Sequence, residues 1–68
     1  MANIIKSPEP KQIKDLRVSI NFTQEQSAAM LHTPIRTYQR WERGVSKMAY
    51  PIWELYIIKA QMVRDGNL

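Results

Sequence analysis

With 68 residues the chain has room for one small domain and a single modest core, and stability at this size is marginal without further support such as oligomerisation. It holds no cysteine, so neither disulfides nor a thiolate metal cage can brace it, and no run approaches the ~20 apolar residues that crossing a bilayer requires. A formal charge of +4 and a sequence pI near 9.8 favour an anionic partner.

The N-terminal stretch "MANIIKSPEPK" lacks the apolar run of a secretory signal, so a cytoplasmic protein without membrane association is expected. Charge is spread unevenly: +2 over 1–20, −1 over 21–32, +3 over 33–50 and zero over 51–68. The excess is densest in "RTYQRWERG", Arg36 to Gly44, which sets three arginines beside two aromatic residues.

Residues 1–6 read as an arm before one domain over 7–68. In "SPEP", Ser7 is expected to cap a first helix over roughly 8–20, with Pro8 at its first position. Ile13, Leu16 and Ile20 then recur at helical spacing. In "NFTQEQSAAML", Thr23 and Gln26 have capping-box spacing, which predicts a second helix over about 24–31. Phe22 opens a hydrophobic staple whose partner position holds Ser27, so the staple is incomplete.

After Leu31 comes "HTP", in which Thr33 can cap and Pro34 can open a third helix over 34–43. The connection is only three residues long. His32 tolerates a positive φ better than most residues, and Gly44 can take the left-handed position that ends the helix. On this helix Tyr38 and Trp41 point inward together, leaving Ile35, Arg36, Gln39 and Arg40 on the neighbouring and outer faces. Arginine and glutamine can each bond two atoms of a base edge. Taken alone, a face of this kind is more often simply solvated; two short helices joined by a tight turn, the second one basic, change that reading.

Pro51 can open a fourth helix over about 51–63, "PIWELYIIKAQMV". Ile52, Trp53, Tyr56, Ile57, Ala60 and Val63 form one apolar arc and Leu55, Ile58 and Met62 another, with Glu54 and Gln61 on a narrow polar strip and Lys59 between the arcs. So wide an apolar surface exceeds what a small domain covers by itself. A homodimer through Trp53, Ile57 and Ile58, helped by Ile4 and Ile5 of the arm, is expected.

"IKDLR", "FTQEQSAAML" and "RTYQRWERG" occur in the order and spacing of the Cro and phage-repressor (Xre-type) helix-turn-helix family, which the chain resembles over about 13–58. The resemblance implies an all-α, lambda-repressor-like domain that binds double-stranded DNA at an inverted-repeat operator as a homodimer. It assigns base reading to Ile35, Arg36, Gln39 and Arg40, and phosphate contact to Thr23, Gln24, Arg43 and Lys47. It also pairs Arg17 with Glu42 as a structural ion pair, which suits a planar guanidinium facing a carboxylate. The family usually carries glycine where His32 stands, a small aliphatic residue where Thr33 stands and leucine where Ser27 stands, so a differently bent turn and a thinner core between the first two helices are expected.

Catalysis has no visible carrier. His32 is the single histidine and no cysteine accompanies it, so no metal site is expected; serine nucleophiles lack a histidine partner, and there is no glycine-rich phosphate loop. No cofactor and no small-molecule effector is indicated. The functional expectation is a repressor of its own operon, of the kind found in phage and mobile elements, anti-CRISPR-associated repressors included. An antitoxin of a toxin-antitoxin pair and a protein–protein adaptor on a helix-turn-helix scaffold stand as alternatives. RNA binding would need exposed aromatic residues for stacking, whereas those here point mostly inward.

Overall fold

Prolines and left-handed residues punctuate the chain into helices. The computed structural model describes residues 6–67 and contains α1 (Pro10–Ser19), α2 (Gln24–Met30), α3 (Ile35–Arg43) and α4 (Tyr50–Arg64), with no strand among the described residues. The fold is all-α. Of the expected arm only Lys6 lies within the described residues; Ile4 and Ile5 lie outside them.

The start of α1 departs from expectation. Glu9, not Ser7, is the N-cap, and Pro10, not Pro8, is the first helical residue. A residue that precedes proline is driven out of the helical region, and Glu9 accordingly sits extended at φ −72°, ψ 151°. Neither Pro8 nor Glu9 can then belong to the helix. The side chain of Gln12 reaches back to accept from the Glu9 N–H at 2.7 Å, which satisfies a donor that the helix leaves open.

α2 begins as its spacing predicts. Thr23 Oγ1 accepts from the Gln26 N–H at 3.1 Å, and Gln26 Oε1 accepts from the Thr23 N–H at 2.8 Å. Thr33 was expected to cap α3, but its hydroxyl donates to the Leu31 carbonyl at 3.1 Å, and Pro34 is the N-cap with no side-chain cap bond. The reason lies in how α2 ends. His32 takes φ 54°, which lets the His32 N–H reach the Ala29 carbonyl (3.0 Å) and the Thr33 N–H reach the Ala28 carbonyl (2.9 Å). That pair of bonds is a Schellman closure, with histidine where glycine is usual, and it commits Thr33 to the helix before rather than the helix after.

The same closure ends the other helices. Asn21 at φ 58° brings the Phe22 N–H to the Arg17 carbonyl, and Gly44 at φ 77° brings the Val45 N–H to the Arg40 carbonyl. Gly66 at φ 79° lets Asn67 reach Met62 at 2.8 Å. At Gly44 a second constraint applies: a Cβ built there would stand 3.3 Å from Cγ of Pro10, so the end of α3 is pressed against the start of α1.

Ile13 from α1, Ala28 from α2, Tyr38 and Trp41 from α3, Tyr56 from α4, and Leu31 and Met48 from the connections form the buried core. Tyr38 is its pivot: its ring meets Trp41 and Tyr56 edge-on at centroid distances of 6.0 Å each. Ser27, where a thin core was expected, is fully buried and takes a hydrogen bond from the Tyr56 hydroxyl at 2.8 Å, so a tyrosine from α4 fills the space. The Tyr56 and Tyr38 hydroxyls lie 2.7 Å apart, which extends the chain of hydroxyls into α3. Burial pushes both phenols above their ordinary pKa, and they stay protonated donors.

On α4, Tyr56 and Ala60 are buried, with Ile52 and Trp53 packed against the core. Leu55 (38% exposed), Ile58 (54%) and Met62 (38%) face outward as the second arc. Ile57, read from periodicity as part of the packed arc, is 41% exposed. Lys59 is committed inside the chain: its ammonium donates to the Met30 carbonyl at 3.1 Å, at the end of α2, where a cation also meets the negative end of the helix.

Candidate nucleic-acid interface

Nine residues of α3 divide into two faces. At about 100° per residue, Arg36, Arg40 and Arg43 fall within an arc of about 60°, while buried Tyr38 and Trp41 lie on the reverse. The core therefore grips one side of the helix and turns the arginines outward. Arg36, Arg40, Arg43 and Lys47 are all exposed. Among the described residues the ion pairs are Lys11–Asp15 and Arg17–Glu42, so these four cations have no acidic partner there.

Gln39 and Ile35 lie beside the arginine face, on the side that turns toward α2. Ile35 is 37% exposed and Gln39 half-buried. Thr23 is exposed at the start of α2, and Gln24, the next residue, is half-buried against α3. Gln24 and Gln39 touch: Gln39 Nε2 donates to Gln24 Oε1 at 3.3 Å. Sequence spacing gave no sign of this contact, which spans 15 residues and two helices.

Beneath these residues Arg17 meets Glu42. Arg17 Nε donates to Glu42 Oε2 at 2.7 Å and Nη2 to Oε1 at 3.2 Å, while Nη1 donates to the Phe22 carbonyl at 3.0 Å. The side chains are only 16% and 5% exposed. Gln24 Nε2 adds a further bond to Glu42 Oε1 at 3.1 Å. Burial pushes the Glu42 carboxyl up, but the hydrogen bonds from Arg17 and Gln24 outweigh it and hold the carboxyl below its ordinary value. Hydrogen bonding to Glu42 raises the Arg17 pKa in turn. The glutamate of the arginine-rich stretch is thus turned into the protein and spent on Arg17, which leaves the outer face of α3 wholly cationic.

Trp53, Ile57 and Ile58 do not form one surface. Trp53 packs inward, its ring edge-on to Tyr56 at 6.2 Å. Ile57 and Ile58 are both exposed but differ by about 100° around α4, with Ile58 beside Leu55 and Met62. Among the described residues no group of His, Asp and Glu could hold a metal ion, and no helix is long and apolar enough to cross a membrane.

The arrangement is a short helix held across a tight turn by a capped neighbour, its outer face made of forked donors. No curated protein matches the chain closely enough to count as a relative. Residues 13–49, more than half the chain, match the family described as Helix-turn-helix, and the match covers most of α1 together with α2, the turn, α3 and the loop that follows. The chain belongs to the Cro/Xre-type helix-turn-helix family, a family of DNA-binding transcription regulators.

Proposed function

We propose that this protein is a sequence-specific repressor that binds an inverted-repeat operator as a homodimer and regulates its own operon, in a phage or mobile-element setting. The observation that carries the reading is the outer face of α3: three arginines on one arc, without acidic partners among the described residues, backed by a buried aromatic face. In this reading α3 enters the major groove, which is about as wide as one helix. Ile35, Arg36, Gln39 and Arg40 read base edges, while Thr23, Gln24, Arg43 and Lys47 hold phosphates on either side.

A two-fold operator needs a second copy, and α4 offers the surface. Leu55, Ile58 and Met62 recur at the spacing of a helix–helix seam and are exposed together. Ile58 belongs to this seam, whereas Ile57 lies off it and Trp53 serves the core.

Binding titrations on duplexes from the protein's own promoter and on scrambled duplexes test the reading. Arg36→Ala and Arg40→Ala should each erode the preference for the operator by roughly 1–3 kcal/mol, the worth of a bidentate base contact. Lys47→Ala should weaken both duplexes alike and flatten the slope of log affinity against log salt by about one unit. Ile58→Glu should lower self-association and operator affinity together in sedimentation and binding assays. A chain that stays monomeric and ignores duplex DNA at low salt would instead support the adaptor role, with the apolar face of α4 meeting a different protein.

A further inference from the structure

Two separate outer faces run along α4. At about 100° per residue, Leu55, Ile58 and Met62 share one arc, while Tyr50, Trp53, Ile57 and Arg64 share another, centred about 140° away. The operator dimer takes up the first. It leaves the second uncovered. On that second face Ile57 is 41% exposed, Arg64 is exposed, and Tyr50 and Trp53 are half-buried, so each ring keeps an uncovered part.

This face is polarised along the helix. Its N-terminal half carries the two aromatic rings, with Glu54 beside them, and its C-terminal half carries Gln61 and Arg64. Arg64 Nη2 donates to Gln61 Oε1 at 3.0 Å and Nη1 donates to Ser19 Oγ at 3.2 Å, while Gln61 Nε2 donates to Asp65 Oδ1 at 3.1 Å. These bonds use the edges of the guanidinium and the amide and hold both planes in place. Their flat faces stay open, and a guanidinium stacks on an aromatic ring through its face.

Rings at one end and planar polar groups at the other make the face complementary to itself when reversed. Tyr50 lies seven residues before Ile57 and Arg64 seven after it, about 10 Å away along the axis in each direction. Two such helices laid antiparallel about Ile57 bring Ile57 against its own copy, Trp53 against the partner's Gln61 and Tyr50 against the partner's Arg64. Glu54, one turn on from Tyr50, comes within reach of the same guanidinium and supplies the opposite charge. A parallel pairing would instead set arginine on arginine and glutamate on glutamate.

We propose that the Tyr50–Trp53–Ile57 face of α4 is a second self-association surface, through which two operator dimers join with their α4 helices antiparallel about Ile57. The proposal rests on the reading that Leu55, Ile58 and Met62 close the dimer itself. Residue i meets residue j in one copy and j meets i in the other, as a two-fold contact requires. A single helix crossing covers less than the ~1,200 Å² of a stable interface, so dimers join weakly and do so where they are concentrated.

Sedimentation equilibrium of the full chain, from micromolar to millimolar concentration at low salt, tests the proposal. Wild type should form dimers first and larger species at the upper end. Ile57→Glu, which sets two carboxylates together at the axis, should weaken the larger species by roughly tenfold or more and leave the dimer intact. Ile58→Glu should weaken the dimer instead. Glu54→Arg and Arg64→Glu should each weaken the larger species, and the two changes combined should restore most of the loss, because the opposite charges meet again in reverse. Thermal melts identify any variant that fails to fold, and Ile57→Ser then replaces Ile57→Glu.

The proposal is overturned if wild type never exceeds a dimer at millimolar concentration, if Ile57→Glu leaves the larger species unchanged, or if the double charge reversal recovers nothing. Those results leave the operator dimer standing. If Ile57→Glu yields monomers while Ile58→Glu does not, this face closes the dimer and the assignment of two faces is wrong. A wild type that stays monomeric throughout removes the dimer and this contact together.

Discussion

Removing one partner of the Arg17–Glu42 pair should cost far more than an exposed ion pair would. Exposed pairs contribute ~0–1 kcal/mol, but these side chains are 16% and 5% exposed and share two hydrogen bonds. In Arg17→Ala the Glu42 carboxylate keeps Gln24 and loses its countercharge in a nearly closed site, at a cost of ~3 kcal/mol. In Glu42→Ala the guanidinium keeps the Phe22 carbonyl and some access to water, so the loss falls to ~2 kcal/mol, within the range for charge-assisted bonds. The double variant strands no charge and should lose ~2 kcal/mol less than the two single losses together. For a domain of this size 1 kcal/mol moves Tm by ~4–8 °C, so Arg17→Ala should melt ~12–24 °C below wild type. Thermal and urea melts of the four proteins at neutral pH measure this cycle. An Arg17→Ala midpoint within ~4 °C of wild type, or single losses that simply add, would refute the reasoning and make the pair an ordinary surface contact.

Acid should act on the same carboxylate: its folded pKa lies below the ordinary 4.5, so its contribution is complete above that value and is lost as pH falls through the folded value. Urea melts over a pH series should show wild type losing more stability below about pH 4.5 than Glu42→Gln, which has no proton to gain there. Tyr56→Phe should cost ~1–3 kcal/mol in chemical denaturation, because it leaves the buried Ser27 and Tyr38 hydroxyls each short of a partner. Gly44→Ala should cost ~1–2 kcal/mol from its left-handed backbone, with the added Cβ pressing on Pro10 at 3.3 Å; a unchanged urea midpoint would contradict both.

What could be read from the sequence was what local chemistry decides. Thr23 and Gln26 lie three residues apart and their reciprocal bonds depend on nothing else, so the start of α2 was legible. Tyr38 and Trp41 share a face by helical period, and both are buried. The starts of α1 and α3 misled because two local rules competed. Ser7 before Pro8 looks like a cap and a first helical residue, yet Pro10 forbids Glu9 the helical region, and the second rule is steric. Thr33 before Pro34 looks like a cap, yet closing α2 over His32 claims Thr33 first. On α4, periodicity separated two apolar arcs but could not say which side of Ile57 the core would reach. The Gln39–Gln24–Glu42 row was invisible because its members join only when α2 and α3 pack. The pairing of Arg17 with Glu42, 25 residues apart, came from family resemblance and not from any local signal.

The hydroxyl shared between Ser27 and Tyr56 ties two distant positions into one heritable unit. Ser27 has no exposed surface, so a larger residue there collides with the Tyr56 ring unless that ring shrinks. A drift of Ser27 toward leucine is therefore open only to sequences that also surrender the tyrosine, and the reverse change passes through an intermediate with an empty or overfilled site. Related chains should carry serine with tyrosine or a large aliphatic residue with a smaller partner, and rarely the mixed pairs. Anyone redesigning α4 to change its partner inherits that linkage: the outer seam of Leu55, Ile58 and Met62 can be rewritten freely, while Tyr56 can be changed only together with Ser27.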